Sequence, residues 1–251
     1  MIATHQRRDA CREAVASALG QTRPPLEVIV AVDGSNDGTT EMLSEWATED
    51  SRVRIVVLDP PAGRPAPPRN RAIAEARGMW VAFLDDDDTW REDKLAVQAR
   101  HFDSADVVGT NALVDGMPYF ADAPVQRMVP AVELLHTNPL ILSSTVVRRD
   151  LLLTVGGFPE APSLRGIEDY ALWFALADAG ARIVISGTPL VSYARHDAPR
   201  LSASTVRNEI AVARLFWRRW RAHPSDRQLR RAALGRASYA LTIARDRLLA
   251  R

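Results

Sequence analysis

The apolar positions of this chain fall into two recurring patterns. Leu26 to Val32, Val53 to Leu58 and Met79 to Leu84 are short, nearly continuous apolar runs of the kind that form buried strands. After Arg7, in contrast, Ala14, Val15, Ala18 and Leu19 recur at the spacing of one helical face. Asp37 and Thr39 can cap a helix running to about Thr48, and a further helix is predicted from Arg69 to Arg77, stopped by Gly78. Strands alternating with helices imply a mostly parallel central sheet with right-handed crossovers, and functional groups gathered at the carboxyl ends of its strands. The first strand is short, because Met1-Ile2-Ala3 runs at once into polar Thr4-His5-Gln6-Arg7; either the start lies late or this strand is abbreviated. The prolines of Pro60 to Pro68 predict a stiff extended loop. Beyond Asp106 the pattern loosens into a strand over Val107 to Leu113, a short helix near Ala131 to His136, a strand from Ser144 to Arg148 and a helix from Glu168 to Ala179. From about Ser202 the chain reads as two helices broken at Pro224. The expected fold is therefore α/β, organised as a main region over 1–205 and a helical extension over 206–251.

Composition narrows the class. The chain has 251 residues, 47% apolar and 25% charged, which excludes disordered and low-complexity proteins. Cys11 is the sole cysteine, so neither an internal disulfide nor a cysteine-built zinc site is possible, and a reducing cytoplasm is the expected compartment. No apolar run approaches the roughly 18 residues of a membrane span. The net charge of +1 is a cancellation: residues 206–251 hold 12 arginines against three acids, or +9, leaving −8 for residues 1–205. In that tail Ile210, Ala213, Leu215, Phe216, Trp217 and Trp220 lie among Arg214, Arg218, Arg219 and Arg221. The mixture suits a peripheral contact with the anionic inner face of a membrane, self-association, or a helix packed on the main region with solvated arginines. It contains no interleaved nucleic-acid recognition motif, and no nucleic-acid partner is expected.

Two acidic segments follow predicted strands. Asp85-Asp86-Asp87-Asp88 crowds four carboxylates after Phe83-Leu84. Such crowding raises their pKa values and lowers stability unless a cation compensates, and hard oxygen ligands suit Mg²⁺ or Mn²⁺ bridging to a diphosphate. The bland alternative is a solvated turn that caps the helix expected over Arg91 to Arg100. In Asp33-Gly34-Ser35-Asn36-Asp37-Gly38-Thr39 the glycines permit tight turns, and Asp33 can accept hydrogen bonds from a base or ribose; a turn with an N-cap is the competing reading.

Thr4-His5-Gln6-Arg7, Gln21 to Val30, Asp33 to Thr39, Arg69-Asn70-Arg71-Ala72-Ile73-Ala74, Phe83 to Trp90, Gly156-Gly157-Phe158 and Glu168-Asp169-Tyr170-Ala171-Leu172-Trp173 together resemble the successive signatures of family 2 glycosyltransferases, in order and spacing, over roughly residues 1–200. The resemblance implies a GT-A fold, a nucleoside-diphosphate sugar donor carrying UDP, GDP or TDP, a divalent cation (Mg²⁺ or Mn²⁺) and transfer with inversion to a carbohydrate, lipid-linked or small-molecule acceptor, as in polysaccharide or glycoconjugate synthesis. It places Ala3, Thr4, Arg7 and Asp33 along the nucleotide, Arg69, Asn70, Asp85 and Asp86 on the donor side, Asp87 on the metal, and Asp169 as the base that deprotonates the acceptor. His196 is a further metal or phosphate candidate in a late basic segment. Glu168, Trp173 and Ser144 are assigned to the acceptor side, with Ser143 beside Ser144 and Trp90 a second candidate for sugar stacking. Val32 departs from the pattern, standing where the family commonly has a first aspartate before Asp33. The competing classes are a sugar-nucleotide-binding module without catalysis, whose mark would be a lost base or metal aspartate, and a membrane-associated adaptor led by the basic tail.

Overall fold

The computed structural model describes residues 1–193 and 206–249. Its first sheet is wholly parallel, in the order β3 (Val53–Val57), β2 (Val28–Val32), β1 (Ile2–Thr4), β5 (Leu84–Asp85). All five residues of β2 are buried, which explains its continuous apolar run. Successive side chains of a strand point to opposite faces. Val28, Val30 and Val32 accordingly pack against Cys11, Ala14, Val15 and Ala18 of α1 (Arg8–Leu19) and Met42 and Leu43 of α2 (Thr39–Glu49), whereas Ile29 and Ala31 meet Ala72 of α3 (Ala66–Glu75).

The apolar run 79–84 is not one strand. Trp80–Ala82 forms β4, antiparallel to β10 (Val146–Arg148) in a second sheet, and the chain crosses to the first sheet only at Leu84. Between them Phe83 donates its N–H to Thr145 O and turns its ring into the core against Phe158 and Trp173, at centroid distances of 5.3 and 6.4 Å. The run is apolar because it is shared by two sheets, while Met79 is left 83% exposed.

The second sheet follows the order β4, β10, β7 (Val107–Val114), β11 (Ile183–Ser192), β6 (Thr89–Trp90), with β8 (Met117–Pro118) and β9 (Gln126–Met128) at its margins. Its β7–β11 pair is parallel and its other pairs are antiparallel. Two further expectations shift. The proline-rich segment is a loop only to Pro65: α3 begins at Ala66, with Pro67 and Pro68 in the first turn, where a helix needs no N–H donor. Ser143 and Ser144 lie in a 3₁₀ turn, and the strand begins at Val146.

The remaining helices are α4 (Lys94–Ala99), α5 (Arg149–Thr154), α6 (Glu168–Asp178), α7 (Val206–Ala222) and α8 (Arg227–Leu249). α7 and α8 form a hairpin seated on α6. Phe216 is fully buried, with ring centroids 5.2 Å from Phe174 and 6.3 Å from Tyr170, and Leu229 and Ala233 of α8 join the same core. Among the described residues no helix is long and apolar enough to cross a membrane.

Candidate active site

The carboxyl ends of β1, β2 and β5 open into a cleft of about 640 Å³. Ala3, Thr4, Arg7 and Asp33 line one side, the Asp85–Asp88 turn forms the floor, and Glu168 and Asp169 at the start of α6 close the other side. A smaller cavity of about 300 Å³ at the opposite ends of the strands is mostly apolar, with Arg23 and Glu27 as its charged members.

The four aspartates do different things. Asp88 is buried and accepts from Ser143 Oγ at 2.5 Å, while Ser143 Oγ accepts the Asp85 N–H at 3.0 Å, so this pair fixes the turn from beneath. Asp85 accepts from Arg69 Nη2 at 2.6 Å, Asp86 from Arg7 Nη1 at 3.0 Å, and Arg7 also pairs with Asp87. Burial, reinforced by the neighbouring carboxylates, pushes Asp86 up to about 6 in spite of Arg7, and burial likewise raises Asp85 in spite of Arg69. Burial thus works against the ionised form of Asp85 and Asp86 even with Arg69 and Arg7 beside them. That donor set fits a hard divalent cation. Mg²⁺ takes one or two protein carboxylates and completes its shell with water and substrate phosphates, so it does not require a cluster of three ligating side chains, and none forms among the described residues.

Asp169 is half-buried at the α6 N-terminus, lining the cleft. Its Oδ1 accepts the Tyr170 N–H at 2.7 Å, and Asn138 Nδ2 stands 3.5 Å from Oδ2. Burial first, then repulsion from Glu168, pushes Asp169 up to about 7. Glu168 is held away from that role: one oxygen accepts from Arg69 Nη1 at 3.1 Å and the other from the Gly166 N–H at 2.6 Å. Arg69, 8% exposed, therefore joins the two acidic segments, reaching Asp85 with one nitrogen and Glu168 with the other.

Asp33 lines the cleft, but both of its oxygens are engaged, by the N–H groups of Ala62 at 2.6 Å and Gly63 at 2.8 Å. It fastens the loop before α3 to the end of β2. Three assigned residues do not reach the cleft. Asn70 clamps Phe158 through both backbone groups, its Nδ2 donating to Phe158 O at 2.8 Å and its Oδ1 accepting the Phe158 N–H at 2.7 Å. Trp173 is fully buried against Phe83, and Ser144 is fully buried with its Oγ donating to Ile141 O and accepting the Thr110 N–H. Trp90 is likewise a packing residue, its Nε1 donating to Ser143 O at 2.7 Å. His196 lies outside the described residues. Asn138, Arg165 and Tyr119 line the cleft without having been anticipated; each sits in an irregular segment where neither periodicity nor motif marks it.

Similarity to known proteins agrees with this geometry. The profile of glycosyl transferase family 2 matches residues 1–158. TuaG of Bacillus subtilis strain 168, a glycosyltransferase assigned to teichuronic acid biosynthesis, is 31% identical over 185 residues, covering 70% of either chain. The Escherichia coli UDP-Glc:alpha-D-GlcNAc-diphosphoundecaprenol beta-1,3-glucosyltransferase WfaP is 28% identical over 214 residues, 84% of this chain and 81% of that one. In fold, the mannosyltransferase PcManGT from Pyrobaculum calidifontis, solved with GDP-Man and Mn²⁺, superposes with a TM-score of 0.71 at 22% identity, covering 98% of this chain and 74% of that one. With its GT-A architecture and this cleft, the chain belongs to glycosyl transferase family 2.

Proposed function

We propose that this glycosyltransferase moves a sugar, with inversion, from a nucleoside-diphosphate donor to a hydroxyl of a lipid-linked saccharide acceptor in polysaccharide synthesis. The observation that carries the mechanism is Asp169, pushed up to about 7, lining the same cleft as the Asp85–Asp88 carboxylate turn. A general base works best with a pKa near the operating pH. Asp169 takes the acceptor proton as the oxygen attacks the anomeric carbon opposite the leaving diphosphate, and Asn138 steadies the carboxylate. Asp87 is the residue to hold Mg²⁺ or Mn²⁺, with Asp85 on the donor side of it; the ion when bound supplies charge stabilisation to the leaving diphosphate. Arg69, bonded to both Asp85 and Glu168, fixes the spacing of the two segments. Ala3, Thr4, Arg7, Asp33 and Asp86 form the nucleotide and ribose side. WfaP, whose name specifies a UDP-glucose donor and a diphosphoundecaprenol-linked acceptor, supports the donor and acceptor classes. Residues 1–205 form the catalytic region and 206–251 its helical extension. The cytoplasmic face of a membrane is the proposed setting.

The decisive variant is Asp169→Asn. Transfer should fall by about 10²-fold or more, while calorimetric binding of nucleoside diphosphate with Mn²⁺ persists. Undiminished transfer would remove Asp169 from the mechanism.

A further inference from the structure

The basic hairpin divides its charges between two faces. Facing the protein, Arg219 pairs with Asp178 and lies over the Phe174 ring, and Arg236 pairs with Glu209 at 3.1 Å. Asp226 accepts the N–H groups of Gln228 and Leu229 at the start of α8. The hairpin's described acidic side chains are thus engaged within the protein.

The outward face of α7 is different. Arg207, Ile210, Arg214, Trp217, Arg218 and Arg221 are all exposed and recur at spacings of three and four, so they share one side of the helix, which holds no acidic residue. Ile210 is 37% and Trp217 41% exposed, the latter's ring centroid 4.9 Å from that of Trp220 with the planes tilted. α8 repeats the composition with exposed Arg227, Arg231, Leu234 and Leu241. The apolar residues that fold the hairpin, Phe216, Val212 and Ala211, are already buried on the protein side.

We infer that the outward face of α7, with the exposed arginines and leucines of α8, docks on the surface of an anionic phospholipid bilayer. Arginine heads meet lipid phosphates while Ile210, Trp217 and Leu241 enter the headgroup boundary. A second copy fits less well, because a two-fold contact would set arginine against arginine. Nucleic acid would use the arginines but leaves Ile210, Leu234 and Leu241 without a partner. The hairpin also touches the segment that leads into the cleft: Arg236 Nη2 donates to His136 O at 2.8 Å, two residues before Asn138, which contacts Asp169. Docking there brings the acceptor side of the cleft to the layer in which a lipid-linked acceptor lies. This purpose rests on the acceptor class proposed above, so vesicle binding and donor binding are measured separately and either can fail alone.

The test is co-sedimentation of the full chain with phosphatidylglycerol-containing vesicles and with pure phosphatidylcholine vesicles. Binding to the anionic vesicles only, released by salt, is expected. Arg214→Glu with Arg221→Glu should weaken it about 25-fold or more, at roughly fivefold per arginine, and Trp217→Ser should weaken it at constant charge. Thermal stabilisation by nucleoside diphosphate should be unchanged in these variants, which also reports that they fold. Absence of vesicle binding, or equal binding to neutral vesicles, overturns the inference. So does a dimer in light scattering that Trp217→Ser dissociates, or binding of RNA that excludes anionic vesicles.

Discussion

At the scale of single residues, the cleft is a set of carboxylates whose surroundings separate their roles. Asp88 bonds to Ser143, Glu168 is held by Arg69 and Gly166, and Asp169 accepts the Tyr170 N–H with no ion pair among the described residues. Transfer should therefore rise as pH passes through about 7, in a pH profile of kcat/KM. The same shift sets a stability effect. Because folding lifts Asp169 from 3.8 to about 7, the folded protein loses stability relative to the unfolded chain as pH climbs across that interval. Asp169→Asn should consequently raise the melting temperature at pH 8 and leave it nearly unchanged near pH 4. Arg69→Met is predicted to act in the opposite direction: it strands Asp85 and Glu168 in a buried site, and urea denaturation should show a loss of about 3–5 kcal/mol. A loss within error would show that the Arg69 bridge does not stabilise the fold.

Among the elements, α4 carries the chain's only lysine in an unexpected place. Lys94 is fully buried, its Nζ 2.7 Å from Gln98 Oε1 and 4.1 Å from the centre of the Trp90 ring. Burial holds its ammonium well below the ordinary lysine value of 10.5. The unfolded chain protonates this lysine at neutral pH and the folded one resists, so stability is lost as pH falls below the ordinary lysine range. Lys94→Met keeps the length of the side chain and should raise the melting temperature at pH 7, with a gain that shrinks toward pH 10.5. A lower melting temperature would show that the contacts with Gln98 and Trp90 outweigh desolvation. β11 was also hidden at this scale. Gly187 and Pro189 interrupt its apolar pattern, and its pairing with β7 shifts register at those positions, so no period of two survives in the sequence.

For the whole molecule, the strand ends of the first sheet and the start of α6 bring acids more than 80 positions apart into one cleft. If the Asp85–Asp87 turn binds a cation together with the donor diphosphate, Mn²⁺ and nucleoside diphosphate should raise the melting temperature more together than the sum of either alone, by linkage. Asp87→Asn should remove that excess. Equal stabilisation by nucleotide with and without the cation would argue against the role of Asp87.

The sequence alone determined the alternation of strands and helices, the carboxylate turn, the Glu168-Asp169 pair and the basic tail, because each is a local pattern: a period, a cap, or charges adjacent in the chain. What it could not decide is which polar groups satisfy one another. Asn70, placed on the donor side by the resemblance, instead clamps Phe158, Trp173 and Ser144 are interior, and Asp33, though in the cleft, also fastens a loop; for each, the partner lies on a remote segment that only packing brings near. Tertiary structure also decided the use of the tail. Burying Phe216 against α6 turned one face of α7 inward, and the arginines left outside became a surface.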